Sequence, residues 1–112
     1  VLPLTLDVRK KNDVFKAVNF LPEKWKKIEI LVNNAGLSRG LDKLHEGKML
    51  DWDEMIDTNV KGLLYVSRAV IPVMVKNNSG HIVNIDVSKV SIALYDTTNK
   101  FINRGNTYGQ FC

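Results

Sequence analysis

The chain has 112 residues, 45% of them hydrophobic and 25% charged, with a formal net charge of +4. That balance describes one ordinary globular domain, and no apolar stretch approaches the roughly 20 residues of a membrane span or the pattern of a secretory leader. The basic residues are scattered rather than gathered with stacking aromatics, which argues against a nucleic-acid partner, and the single cysteine, Cys112, rules out an internal disulfide and fits a reducing compartment.

Residues 2–8 are predicted to form a short strand ending near Asp7. Asn12 is expected to cap a helix carrying Val14, Phe15, Val18 and Leu21 at helical spacing. Pro22 interrupts it, and residues 23–27 form a further turn that carries Trp25. Residues 28–32 make the next strand. This aliphatic run has no polar alternation, so it is expected to be covered on both faces, as in a parallel α/β sheet. It ends abruptly in Asn33-Asn34-Ala35-Gly36. Small and amide residues at the carboxyl end of such a strand mark a place where a ligand can approach the backbone. Residues 37–48, with glycines and mixed charges, read as a loop.

Asp51 opens the strongest predicted helix. Trp52, Met55, Ile56, Val60, Leu63, Leu64, Val70, Ile71 and Met74 recur at steps of three and four residues. Asp51, Asp53 and Glu54 in the first turn and Lys76 near the end suit the helix dipole, whereas Pro72 is expected to kink or break the helix. Asn77, Asn78, Ser79 and Gly80 end it, and residues 81–85 form a third strand. The order β-α-β-α-β points to right-handed crossovers and a parallel sheet. Beyond Asp86 the pattern degrades, and residues 87–112 read as an irregular or divergent end of a single domain. The chain starts inside a strand, without methionine, and stops at Tyr108-Gly-Gln-Phe-Cys112, so it reads as a fragment.

Leu6-Asp7-Val8, Asn33-Asn34-Ala35-Gly36, Asp57-Thr58-Asn59-Val60-Lys61-Gly62, Gly80-His81-Ile82-Val83-Asn84-Ile85 and Gly105-Asn106-Thr107-Tyr108-Gly109 occur in this order. Together they resemble the middle of a short-chain dehydrogenase/reductase. Leu21-Pro22-Glu23-Lys24-Trp25 and the run from Asp51 to Asn59 sharpen the likeness to the NADP-dependent 3-hydroxy acid (serine) dehydrogenase subgroup. The resemblance implies a partial Rossmann-like, doubly wound parallel sheet that lacks the N-terminal βαβ unit with its glycine-rich turn. It implies hydride transfer between NADP(H), with NAD as an alternative, and a small hydroxy acid or carbonyl substrate. It also implies a cytoplasmic homo-oligomer, a tetramer, whose helix matching residues 51–76 packs between subunits. A different class of protein, a non-catalytic interaction module associating through that helix, is the rival expectation.

The resemblance assigns roles to particular residues. Asp7 and Val8 lie where the family meets the adenine, and a carboxylate acceptor suits the adenine N–H; the plain alternative is a turn aspartate. Asn33 and Asn34 tie neighbouring strands together and offer amide groups to the nicotinamide ribose, while Ala35 and Gly36 leave room for the cofactor. Asn59 matches an asparagine that locally disrupts its helix and anchors a water of the proton relay. Ser88 and Tyr108 stand nearest to the substrate-orienting serine and the proton-transferring tyrosine. The serine slot itself holds Val87, with Ser88 one place late and Ser91 a further option. A lysine four residues after Tyr108 would share its helix face, but Cys112 stands there. Tyr95 with Lys100 is the other pairing, at a separation of five residues. Catalysis by the fragment itself is therefore not expected. His45 and His81 do not combine with acids or cysteine at ligand spacing, so no metal site is expected.

Overall fold

The computed structural model describes residues 1–39 and 42–85. Its centre is a two-stranded parallel sheet, β1 (Ile30–Asn33) beside β2 (His81–Asn84), with Ile30 opposite His81 and Asn33 opposite Asn84. The ladder is extended by His81 N donating to Glu29 O and Ile85 N to Asn33 O, both at 2.9 Å. Parallel neighbours cannot be joined by a hairpin and require a helical crossover. Here the crossover consists of a 3₁₀ turn (Leu44–Glu46) and a long helical track made of α2 (Met49–Ile56), a π-helical segment (Asp57–Gly62) and α3 (Leu63–Lys76). Before the sheet come α1 (Lys11–Asn19) and a 3₁₀ turn (Glu23–Trp25) carrying the expected tryptophan.

The core lies where α1 packs on α3 and α3 packs on β1. Val14 of α1 is fully buried, and Ala69, Val70 and Met74 form the buried stripe of α3. The end of α3 is fixed by chain chemistry. Asn78 takes a left-handed φ of 50°, Ser79 N donates to Met74 O at 3.1 Å and Asn78 N donates to Val75 O at 3.0 Å. This pair of bonds is a Schellman termination, for which asparagine is a common substitute for glycine. Gly80 follows because a Cβ there would come within 2.5 Å of Met74 Sδ.

Several expectations are corrected. Residues 2–8 run without a ladder partner among the described residues and form no strand. A strand exists only by exchanging hydrogen bonds with a neighbour, whatever the chain's own propensity. Among the described residues β1 is covered on one face only, and β2 is exposed along its length. Ile30 and Val32 are 63% and 51% exposed, whereas Leu31 is half-buried and Asn33 buried, the alternation of a strand with one packed side. α1 begins at Lys11 with Lys10 at the cap position and no side-chain cap, so Asn12 lies inside the first turn. The long helical track opens at Met49, two residues before Asp51. It does not break at Pro72, which sits within α3. The irregularity falls at the π-helical segment carrying Asn59, where the resemblance implies a local disruption. One-turn π segments of this kind are concentrated at functional sites.

Candidate functional site

The carboxyl ends of β1 and β2 lie side by side, because the strands are parallel and pair Asn33 with Asn84. Asn33 is 8% exposed, and its Nδ2 donates to Asn84 Oδ1 at 2.9 Å and to Ser67 Oγ at 3.1 Å. One amide therefore joins β1, β2 and α3. A buried amide must find such partners, at a cost of about 1–3 kcal/mol if it does not. Asn33 thus performs the strand-tying task, while Asn34, Ala35 and Gly36, the next residues along the chain, are exposed.

Asn59 lies in the π-helical segment and is half-buried. Its Nδ2 donates to Leu37 O and its Oδ1 accepts from Leu37 N, both at 2.8 Å. The amide reproduces the pairing that a neighbouring strand would offer. It pins the chain immediately after Gly36, so two motifs that are distant in sequence meet at the end of β1. Next to Asn59, Thr58 is buried, and its Oγ1 has no hydrogen-bond partner among the described residues.

The segment carrying Asp7 approaches the same place. Leu6 and Val8 line a cleft of about 190 Å³ together with Val32, Asn33, Asn34, Ala35, Gly62, Leu63 and Val66. Gly62 is buried, and a Cβ there would stand 2.6 Å from Val8 Cγ2. The glycine permits this close approach of helix and segment. The structure therefore brings Val8, Asn33, Asn34 and Ala35 together around one opening, with Asn59 fixing the loop at its rim.

Asp7 is held in a turn. Its Oδ1 accepts from Arg9 N at 3.0 Å, and the Arg9 guanidinium bonds both carboxylate oxygens, with Nη2–Oδ2 at 2.7 Å. Lys10 N donates to Asp7 O at 3.0 Å and closes the turn. The hydrogen bonds from the Arg9 side chain, followed by that from its backbone, lower the Asp7 pKa to about 2. Asp7 thus fulfils the turn reading, and its side chain is 31% exposed.

Arg9 Nη1 also lies 3.7 Å from Glu54 Oε1, and Arg39 meets the same carboxylate with Nε 3.2 Å from Oε2 and Nη2 3.3 Å from Oε1. Further along the helical track, Lys61 pairs with Asp57 at 3.2 Å, and that hydrogen bond raises the lysine pKa. Sequence reasoning missed Ser67, Arg9, Arg39 and Glu54. Ser67 carries a faint signal as a small hydroxyl inside an apolar stripe (Leu63, Val70, Met74). The charged partners carry none, because their pairing joins residues far apart in the chain. Ser88, Ser91, Tyr95, Lys100 and Tyr108 lie outside the described residues. Among the described residues no group of three histidine, cysteine, aspartate or glutamate side chains could hold a metal, and no helix is long and apolar enough to cross a membrane.

Comparison with known proteins places this geometry in context. Residues 1–97 match the family model described as short chain dehydrogenase. The chain is 51% identical over 85 residues to the NADP-dependent 3-hydroxy acid dehydrogenase YdfG of Salmonella typhi, covering 76% of this chain and 34% of that protein. Among solved structures it is similar to serine dehydrogenase from Escherichia coli, with a TM-score of 0.71 and 49% identity over 72% of this chain and 38% of that one. It is equally similar, at a TM-score of 0.71 and 49% identity, to the closed form of serine dehydrogenase complexed with NADP+, covering 72% of this chain and 33% of that one. The chain spans about a third of the length of the curated relatives it matches.

Proposed function

Because the chain belongs to the short-chain dehydrogenase family, we propose that the protein of which it forms a segment is an oxidoreductase. It would transfer a hydride between NADP(H) and a small 3-hydroxy acid or related carbonyl compound. The observation that carries this reading is the reciprocal amide pairing of Asn59 with Leu37, which locks the exposed Asn34-Ala35-Gly36 corner at the carboxyl end of a parallel strand. Ligands of open α/β sheets bind at that end. The dehydrogenase of Salmonella typhi is named as NADP-dependent, and the Escherichia coli enzyme is named as a serine dehydrogenase; both names support the choice of cofactor and substrate class.

The residues present fit one side of a dinucleotide. Asn34, Ala35 and Gly36 are exposed and small enough to let a flat ring and its ribose lie against the backbone. Asp7 and Val8 stand at the adenine side, with the Asp7 carboxylate already engaged by Arg9. When bound, the nicotinamide supplies the hydride chemistry. Tyr108 is proposed to hold and move the proton at its phenolic oxygen, helped by a cation that lowers its pKa from about 10. Ser88 is proposed to orient the substrate oxygen, and Asn59 to support the relay from the π-helical segment.

The pyrophosphate side requires a glycine-rich turn at a helix N-terminus. In the doubly wound strand order 3-2-1-4-5-6, the third strand is separated from the fourth by the first two. That order accounts for the absence of a ladder between residues 2–8 and β1: two strands of an upstream βαβ unit would lie between them, below the cofactor seat at the carboxyl ends of the strands. Residues 1–112 are then the middle of one dinucleotide-binding domain, in a cytoplasmic enzyme. A single experiment separates the possibilities. The intact protein should reduce NADP+ with a small 3-hydroxy acid, Tyr108→Phe should abolish turnover, and the 112-residue chain should be inactive. Turnover by the isolated chain, or an intact Tyr108→Phe variant with full activity, would refute the assignment.

A second reading is favoured by a specific surface. Ile56, Val60 and Leu64, at four-residue steps, are 47%, 47% and 57% exposed. Such a stripe supports association of the helical track with a second copy, either as the oligomer contact of the enzyme or as the whole role of a non-catalytic module. A folded dimer that fails to bind NADPH would favour the module.

A further inference from the structure

We infer that Glu54 is a positioning residue that holds the Asp7 turn and the loop after Gly36 in one register; the inference rests on the dehydrogenase reading above. Four side chains of alternating charge form a continuous series, Asp7–Arg9–Glu54–Arg39. Arg9 spends Nε and Nη2 on Asp7, at 2.7–3.2 Å, and presents Nη1 to Glu54 Oε1 at 3.7 Å. Arg39 grips both oxygens of the same carboxylate, at 3.2 and 3.3 Å. Glu54 is carried by α2, so a rigid element holds the joint between two loops. Arg39 lies two residues beyond Leu37, which Asn59 pins from the adjoining π-helical segment. The loop is therefore fastened to one helical track at two points, and the Asp7 turn is fastened to the outer of the two.

Stability does not account for this arrangement. The Arg9, Glu54 and Arg39 side chains are 42%, 29% and 56% exposed, and pairs at such exposure contribute little to folding. Two-point contact between guanidinium and carboxylate fixes the orientation of Arg39 on Glu54 and of Arg9 on Asp7, and a single charge contact of 3.7 Å links Arg9 to Glu54. The two segments it joins are those proposed to meet the adenine and the nicotinamide ends of one ligand. Their separation sets whether both ends can be held at once, and loss of that preorganisation weakens cofactor binding.

The test uses the intact protein that carries residues 1–112, with NADPH as the probe. Glu54→Gln keeps the size of the side chain and removes its charge. Arg39→Gln, on an exposed loop, cuts the loop's half of the joint without altering the helix and leaves Arg9 beside Glu54. Each should raise the Kd for NADPH and the KM for the cofactor by ~5- to 20-fold, the lower part of the range of a typical coupling between sites. In each, kcat should stay within about twofold and Tm should be little changed, as expected for an exposed pair. The double variant should be no worse than Glu54→Gln alone, since the two residues act as one unit. Added salt should weaken NADPH binding more in the wild type than in Glu54→Gln. Wild-type NADPH affinity in both single variants would overturn the inference, as would a fall in Tm and kcat with KM unchanged. A wild-type protein that neither binds NADPH nor turns over would overturn the dehydrogenase reading together with it.

Discussion

Asn59 and the main chain of Leu37 exchange two hydrogen bonds of 2.8 Å, joining a π-helical segment to the loop that follows β1. The side-chain amide is the one group that can donate and accept in that geometry, which is why neither aspartate nor leucine can replace it. Asn59→Ala should destabilise the chain by about 1–3 kcal/mol, the cost of leaving half-buried backbone groups unpaired. Asn59→Asp should fail to rescue it, because a carboxylate cannot donate to Leu37 O. Urea denaturation checks the magnitude, and faster amide exchange at Leu37 checks the place.

Asn33 is the corresponding joint inside the sheet. Asn33→Leu keeps the branched shape but leaves Asn84 Oδ1 and Ser67 Oγ without their donor. A loss of about 1–3 kcal/mol is expected, larger than the cost of Ser67→Ala, which removes one neutral bond worth about 0.5–1.5 kcal/mol. Equal losses in the two variants would show that the amide's contact with Asn84 contributes nothing.

Gly62 presents two opposed effects whose magnitudes decide the outcome. In a helix interior, glycine to alanine ordinarily stabilises by about 0.8–1.0 kcal/mol. Here the new Cβ would stand 2.6 Å from Val8 Cγ2 and 3.2 Å from Val8 Cβ. Valine is stiff at χ1 and cannot swing aside, and overpacking costs about 1–3 kcal/mol. Gly62→Ala should therefore be neutral to destabilising by thermal melting. Combined with Val8→Ala, which removes the opposing methyls, it should be better tolerated than in the wild-type background.

Acid should loosen the Asp7 turn in a defined window. The Asp7 carboxyl is lowered from 3.8 to about 2 in the folded chain, chiefly by the Arg9 side chain. Its contribution to stability is complete above the unfolded value and is lost as pH falls from about 4 towards about 2. The wild type should lose stability more steeply across that window than Asp7→Asn, which has no carboxylate to protonate. Identical acid profiles would show that the ion pair contributes no stability in solution.

Much of the fold was legible because it is written in local patterns. The aliphatic run ending at Asn33, the apolar periodicity of residues 51–76 and the Asn77-Asn78-Ser79-Gly80 stop each correspond to an observed element or boundary. The failures have a common cause in missing context. Among the described residues, residues 2–8 have strand-like composition but no neighbour to bond, and Ile30 and Val32 are aliphatic although no layer covers them. Pro72 was expected to kink or break a helix that continues through it, while the irregularity at Asp57–Gly62 falls around Asn59, where the family resemblance, and no local pattern, implied one. At the site, the amide residues announce themselves because buried amides are unusual. Arg9, Glu54 and Arg39 do not, since exposed charges are common and their pairing depends on the fold.

A nucleotide seat at the joined ends of Val8 and β1 is tested most directly by NADPH binding to the intact protein, followed by nicotinamide fluorescence in the wild type and in Ala35→Phe. Ala35 is exposed, so the substitution should leave Tm nearly unchanged. Tight binding by the wild type and its loss in the variant is the predicted result. Undiminished NADPH affinity with a phenyl ring at that corner would contradict it.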